Sequence, residues 1–204
     1  MKAYQKMRGN NGLENLLFPF EYMYLTQGEH NNGVRYAMDF SGWGENGKIK
    51  NCPMYAPCTC KVVFVGSNDN NPVVCWESIE KVNFIDGNID YACISVGHDD
   101  NYKDYKIGQI VEQGQVFAHT GNTGLSTGDH THMIVGKGKY EGYYHPTTEG
   151  GNTLKNQYHM YNAYGVNDTI IVRDGGYTWH SFSNEEKKLN IRQFSLYNCF
   201  RWWT

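Results

Sequence analysis

The sequence predicts a mostly β protein, an antiparallel sheet sandwich or open barrel with a short C-terminal helix. Three observations lead there. Gly 23 and Tyr 16 in 204 residues favour turns and pleated surfaces, because glycine weakens helices and aromatic side chains fit half-buried strands. Short apolar or alternating runs recur along the chain with turn formers between them. A helical pattern stands out in one place, residues 184–200.

Taken in order, residues 1–20 read as an N-terminal arm. Asn10-Asn11-Gly12 is turn chemistry, and Leu16-Leu17-Phe18-Pro19-Phe20 is an apolar anchor. Residues 21–138 form the expected core. Its first strand is 21–26, followed by a polar loop over 27–33, an alternating strand over 34–40 and a glycine-rich loop over 41–51. Strands over 60–65, 72–78 and 91–96 follow, separated by Asp69-Asn70-Asn71 and Asp86-Gly87-Asn88, both good turn formers. Two further strands cover 115–118 and 131–135. Residues 139–204 read as a C-terminal β/helix extension packed on the core. It holds a hairpin over 168–179 and the helix over 184–200, capped by Ser183 or Asn184, with Ile191, Phe194, Leu196 and Phe200 as its apolar stripe.

Lys+Arg 18 against Asp+Glu 21 gives a net charge of -3, which argues against a nucleic-acid partner. No apolar run is long enough for membrane insertion. The first nine residues carry positive charge without an apolar stretch after it, so no signal peptide is expected. Synthesis in a reducing cytoplasm fits the cysteines: Cys52, Cys58, Cys60, Cys75, Cys93 and Cys199 form no C-x-x-C pair and read mainly as buried free thiols.

Chemistry is carried by histidines. His130-Thr131-His132 precedes the apolar run Met133-Ile134-Val135. On a strand, residues i and i+2 share a face, so both imidazoles project the same way; a polar surface pair is the alternative. His30 lies in a polar loop and Asp39 between Met38 and Phe40. A carboxylate so placed is either solvent-facing, as alternation permits, or paired or bound to a cation. His98 closes one strand and opens the loop Asp99-Asp100-Asn101. There it is either a cleft group or a loop histidine bonded to a neighbouring aspartate. His119, His145, His159 and His180 read as structural.

The run from Gly114 to His132, Gly-Gln-Val-Phe-Ala-His-Thr-Gly-Asn-Thr-Gly-Leu-Ser-Thr-Gly-Asp-His-Thr-His, resembles the signature of the lysostaphin-type (LytM-like) zinc endopeptidases. Met133 stands where that family has an aromatic. Residues 106–115 are similar to the family's upstream V-x-x-G-x-x-V-x-x-G-x stretch. The resemblance covers roughly residues 20–138. The usual H-x-x-x-D spacing is replaced by nine positions between His30 and Asp39, which resembles the peptidase domains of tail-tip or tail-knob proteins of phages that infect Gram-positive bacteria.

The resemblance implies a lysostaphin-like fold and zinc held by His30, Asp39 and His132. It also implies that His98 and His130 flank the open fourth position as catalytic groups, with their acid and base roles unassigned. It implies cleavage of peptide stems or cross-links of bacterial peptidoglycan by a phage tail-associated enzyme during genome entry. The protein would be made in the host cytoplasm and act on the cell wall from the virion tail or, like an endolysin, after release at lysis. Other phage tail proteins are the expected partners. Gly121, Gly124 and Gly128 would let the backbone turn near an extended substrate in a groove lined by Tyr and Asn. Two rivals remain: an inactive wall-binding or structural virion module of the same fold, and a cupin-like oxygenase. The second wants a carboxylate shortly after the H-x-H, and residues 133–138 supply none.

Overall fold

The computed structural model describes residues 4–28, 30, 36–68, 71–144, 153–165, 169–172 and 180–181. The chain is mostly β and its strands pair almost entirely antiparallel. From the N-terminus come β1 (Met23–Gln27), β2 (Met38–Gly44), β3 (Gly47–Ile49), β4 (Pro53–Tyr55), β5 (Cys60–Asn68), β6 (Asn71–Ser78), β7 (Val82–Asn83), β8 (Ile89–Asp90) and β9 (Ala92–Gly97). After a 3-10 turn at Tyr102–Asp104 follow β10 (Ile110–Val111), β11 (Val116–His119), β12 (Thr131–Lys137), β13 (Tyr143–Tyr144), β14 (Thr153–Leu154) and β15 (Gln157–Tyr158). The short helix α1 (Met160–Ala163), β16 (Thr169–Val172) and β17 (His180–Ser181) complete the described elements.

The main sheet runs β10-β5-β6-β9-β12-β2-β1-β16-β17, with β15 on β12 and β3 on β2, and among the described residues it does not close into a barrel. One pair, β1 with β16, is parallel. β12 divides its far edge: residues 131–133 pair with β2 and residues 135–136 with β15, while 133–137 pair with β9 on the other side.

Alternation sorts the side chains of these strands into two layers. Val74, Trp76, Ile94, Val96, Met133 and Val135 face the main core with Phe18, Phe20, Phe40 and Tyr164. Ala37, Cys75, Cys93 and Ile134 face the other way and are covered by Leu154, Phe64, Tyr140 and Tyr143. β9 is therefore buried along its whole length, as in a sandwich. The second layer ends at Ala37 and Ile134. Two residues further along the same faces stand Asp39 and His132, where the apolar cover gives way to an open cleft.

The apolar segment over 16–20 does anchor. Phe18 meets Phe40 at 5.0 Å and Tyr164 at 5.9 Å between ring centroids, and Leu16 and Gly165 exchange backbone bonds with their neighbours across the core. Five cysteines are free and buried; burial pushes the Cys52 thiol up to about 11. Cys199 and the expected helix over 184–200 lie outside the described residues, as does the turn of the hairpin over 168–179.

Strand boundaries differ from expectation at one informative place. The loop expected over 41–51 begins as strand, because β2 runs to Gly44 and turns into β3. A Cβ on Gly42 would sit 2.1 Å from the Cys52 Cβ and 2.4 Å from the Ile49 carbonyl oxygen. The glycine is there for close packing of an extended chain, not for a turn.

Candidate metal centre

Asp39 and His132 are separated by 93 residues and brought face to face by strand pairing. They are direct partners in the β2–β12 ladder, and Nδ1 of His132 lies 3.0 Å from Oδ1 of Asp39. Met38 and Phe40 on either side of Asp39 are fully buried in the main core, so the pleat sends the carboxylate to the opposite face. His130 projects to that face too, with Nε2 4.0 Å from Oδ2 of Asp39. The strand reading of H-x-H thus places both rings beside one carboxylate rather than on a plain surface.

His30 comes from the segment after β1, where its N–H bonds the Ala37 carbonyl at 3.3 Å. Its ring centroid is 5.0 Å from that of His132. Ligand atoms of His30, Asp39 and His132 all lie within 4.8 Å of one another, the one such group of metal-binding geometry among the described residues. Nδ1 of His30 faces the Gly28 carbonyl oxygen at 2.9 Å. A carbonyl only accepts, so Nδ1 carries the proton and Nε2 keeps its lone pair.

These residues fit a divalent ion. Tetrahedral bonds of about 2.0–2.2 Å set neighbouring donors about 3.3 Å apart, close to the separation of the His132 and Asp39 atoms. Burial pushes the Asp39 carboxyl up, but the His132 hydrogen bond and the nearby His132, His30 and His130 outweigh it and bring it to about 2. A carboxylate held ionised among imidazoles suits a cation.

His98 and His130 form the second half of the site, with ring centroids 4.6 Å apart and that of His98 6.2 Å from His132. Each is oriented through Nδ1. That of His98 donates to the Thr123 carbonyl at 2.9 Å, and that of His130 to the Gly128 carbonyl at 2.7 Å, with the Ser126 hydroxyl at 3.2 Å. In a neutral ring this arrangement leaves Nε2 as the acceptor. Burial pushes the His98 ring down to about 4, against the Thr123 bond, which raises it. His98 is neutral at pH 7.

His98 does not bond Asp99 or Asp100. It sits at φ 68, a left-handed conformation uncommon for a residue other than glycine. The aspartates instead hold that turn in place. Asp99 is buried and accepts from the Tyr105 hydroxyl at 2.7 Å and the His119 N–H at 2.8 Å. Asp100 accepts from the Asn122 N–H at 3.0 Å and from the Thr123 hydroxyl. Asp129 holds the turn before His130: it accepts from the Thr120 hydroxyl at 2.6 Å and the Asn51 N–H at 2.8 Å. Thr123 and Asp129 have no role in the sequence reading, and Asp99 enters it only as an alternative partner of His98; Asp129 lies inside the motif, next to His130.

The motif glycines divide by role. Gly124 supplies a turn at φ +85, while a Cβ on Gly121 would meet the His98 carbonyl oxygen at 2.2 Å. Gly121 lets the chain pack closely against the His98 turn. A cleft of about 470 Å³ opens beside Asp39 and His130, lined also by Tyr24, Thr26, Gln27 and Lys48. The expectation of Tyr and Asn holds for one tyrosine; the amide present is Gln27. Of the remaining histidines, His119 lies on β11, His159 stacks on Tyr36 at 3.6 Å, and His180 pairs with Ile170. His145 lies outside the described residues.

No family model matches the sequence. The chain is 32% identical over 177 residues to Morphogenesis protein 1 of Bacillus phage B103, covering 84% of this chain and 46% of that protein. It thus spans about half the length of this curated relative. Among solved structures, the M23 metalloprotease pseudoalterin superposes with a TM-score of 0.44 at 16% identity, over 83% of this chain and 91% of that one. Lysostaphin from Staphylococcus simulans does so with a TM-score of 0.39 at 24% identity, over 56% and 42%. By its glycine-rich motif the chain resembles the lysostaphin-type zinc peptidases, and by sequence it is a relative of a phage morphogenesis protein.

Proposed function

We propose that this chain is a zinc-dependent endopeptidase that cleaves peptide stems or cross-links of bacterial peptidoglycan. Its setting is a phage tail that opens the wall for genome entry. The observation that carries the reading is the convergence of His30, Asp39 and His132 within 4.8 Å, with two further imidazoles beside them. His30, Asp39 and His132 would hold the ion. Zinc so held supplies Lewis acidity and a nucleophile at neutral pH. His98 and His130 each offer an Nε2 whose orientation is fixed by an Nδ1 hydrogen bond. In the proposed reaction one takes a proton from the attacking water and the other hydrogen-bonds the developing oxyanion or protonates the leaving amine. The low affinity of His98 for a proton suits it to start neutral. The division into an arm over 1–20, a peptidase core over 21–138 and an extension over 139–204 belongs to the same proposal, as does contact with other tail proteins.

The test is digestion of purified peptidoglycan by wild type and His132→Ala, with products read by mass spectrometry and zinc content measured on both. New peptide termini from wild type and none from the variant are expected. New reducing sugar ends would replace the peptidase reading with a glycosidase. Bound zinc without any released fragment would favour an inactive wall-binding module.

A further inference from the structure

Resting on the peptidase reading, we propose that Lys48 is a specificity-determining residue that receives a free carboxylate of the substrate peptide, several residues from the bond that is cut. Asp39, Ser41 and Trp43 share one face of β2 by alternation. That face is continued sideways by two neighbours. Tyr24 is the β1 partner of Ser41 and stacks on Trp43 at 4.2 Å between ring centroids. Lys48 is the β3 partner of Trp43, and directly opposed residues of an antiparallel pair lie on the same face. A track therefore leads from the metal centre past Ser41 to an aromatic pair and a lysine. Tyr24, Ser41 and Lys48 all line the cleft that holds Asp39 and His130.

The charges along this track single out Lys48. The Asp39 carboxylate is engaged by His132, and that of Asp129 by Thr120 and Asn51. Ser41 donates to the Asp129 carbonyl at 3.1 Å. Among the described residues, Lys48 is the one Lys or Arg in the cleft lining. A cation beside two stacked rings suits an extended peptide with an anionic group and some apolar surface. The four steps from Asp39 to Trp43 span about 13 Å at ~3.3 Å each, so the carboxylate would lie roughly three to four residues from the scissile bond in an extended peptide. Stem peptides with a free carboxylate meet that description, and amidated ones do not.

The test uses a cross-linked stem-peptide dimer prepared with its carboxylates free and as amides. Equilibrium binding to the full chain is measured in a His130→Ala background that does not turn the peptide over, with and without Lys48→Met. Cleavage is measured in the otherwise wild-type chain. The free-acid peptide should bind Lys48→Met about threefold to tenfold more weakly, a loss that shrinks in high salt as an exposed charge pair requires. Lys48→Glu should lose more. Amidation should cost the parent background the same factor and cost Lys48→Met nothing further. In cleavage the loss should appear in KM and not in kcat. Equal binding of acid and amide peptides by the parent background, or an unchanged acid-to-amide ratio in Lys48→Met, overturns the proposal while leaving the peptidase reading intact. Binding that depends on Lys48 with no cleavage by wild type would sink the peptidase reading instead. No binding of either peptide would sink both.

Discussion

Gly121→Ala isolates what the second half of the site contributes. Gly121 joins the two histidine-bearing turns: it exchanges backbone hydrogen bonds with His130 at 2.9 and 3.1 Å. Its α-carbon also packs against the His98 turn. An added methyl would lie 2.2 Å from the His98 oxygen, 2.7 Å from the Asp100 nitrogen and 3.0 Å from the Asp100 Cγ, where ordinary contact begins at 3.4 Å. Two of those atoms are backbone, so no rotamer change relieves the overlap. One of the two turns must move by about 1 Å, and overpacking of this kind costs about 1–3 kcal/mol. For a chain of this size that lowers Tm by roughly 2–12 °C. A misplacement of about 1 Å at reacting groups costs about 10²-fold in rate. Asp39 and His132 are held by the β2–β12 pairing and His30 by the segment after β1, so zinc affinity should change by less than about threefold, short of the roughly 10–100-fold that losing an outer partner of a ligand costs. The assays are thermal unfolding, competitive zinc titration and release of peptides from purified walls. Wild-type stability and wild-type turnover together would refute the packing argument. A loss of zinc equal to the loss of activity would refute the separation of the two halves.

Asp39→Asn should weaken zinc binding by more than about 100-fold, the upper end of what losing an outer partner costs, read by competition with a chelator. In the metal-free protein, stability should rise with pH between about 4 and 6.5. The folded-state value of His98 is lowered to about 4 from 6.5, so the unfolded chain binds the extra proton in that window. The contribution is fully present above pH 6.5 and lost as pH falls towards 4, worth about 3 kcal/mol. His98→Gln should flatten that slope in denaturant titrations, and an unchanged slope would disprove the assignment. Asp129→Ala leaves the Thr120 hydroxyl and Asn51 N–H without their acceptor and should cost about 1–3 kcal/mol, with turnover reduced and zinc retained. Tyr164→Phe should stabilise the fold by about 1 kcal/mol, because the Tyr164 hydroxyl is buried without a hydrogen-bond partner among the described residues; a lower Tm would show that the hydroxyl matters.

Legibility in the sequence followed locality. The strands over 60–65, 72–78, 91–96 and 131–135 were readable because pleat alternation and turn chemistry are properties of neighbouring residues, and each appears within one or two residues at its start. β4 and α1 were not readable. Pro53-Met54-Tyr55 is a strand because β11 pairs with it, and residues 160–163 form a single turn of helix with no side-chain cap, its Met160 and Ala163 buried in the main core. Gly42 and Gly121 looked like turn and substrate glycines. Both are close-approach positions whose neighbours, Cys52 and His98, lie elsewhere in the chain.

The sequence by itself determined the β character and the shared face of His130 and His132, because a period of two is set by backbone geometry alone. It also determined that Asp39, between two core residues, points away from them. The tertiary structure alone decided that β2 pairs with β12 in the register that sets Asp39 against His132. It also decided that the His98 ring bonds the Thr123 carbonyl rather than a neighbouring aspartate. Those outcomes depend on long-range pairing and on the fit of side chains distant in sequence, and a shift of one residue in that register would have turned His132 into the core.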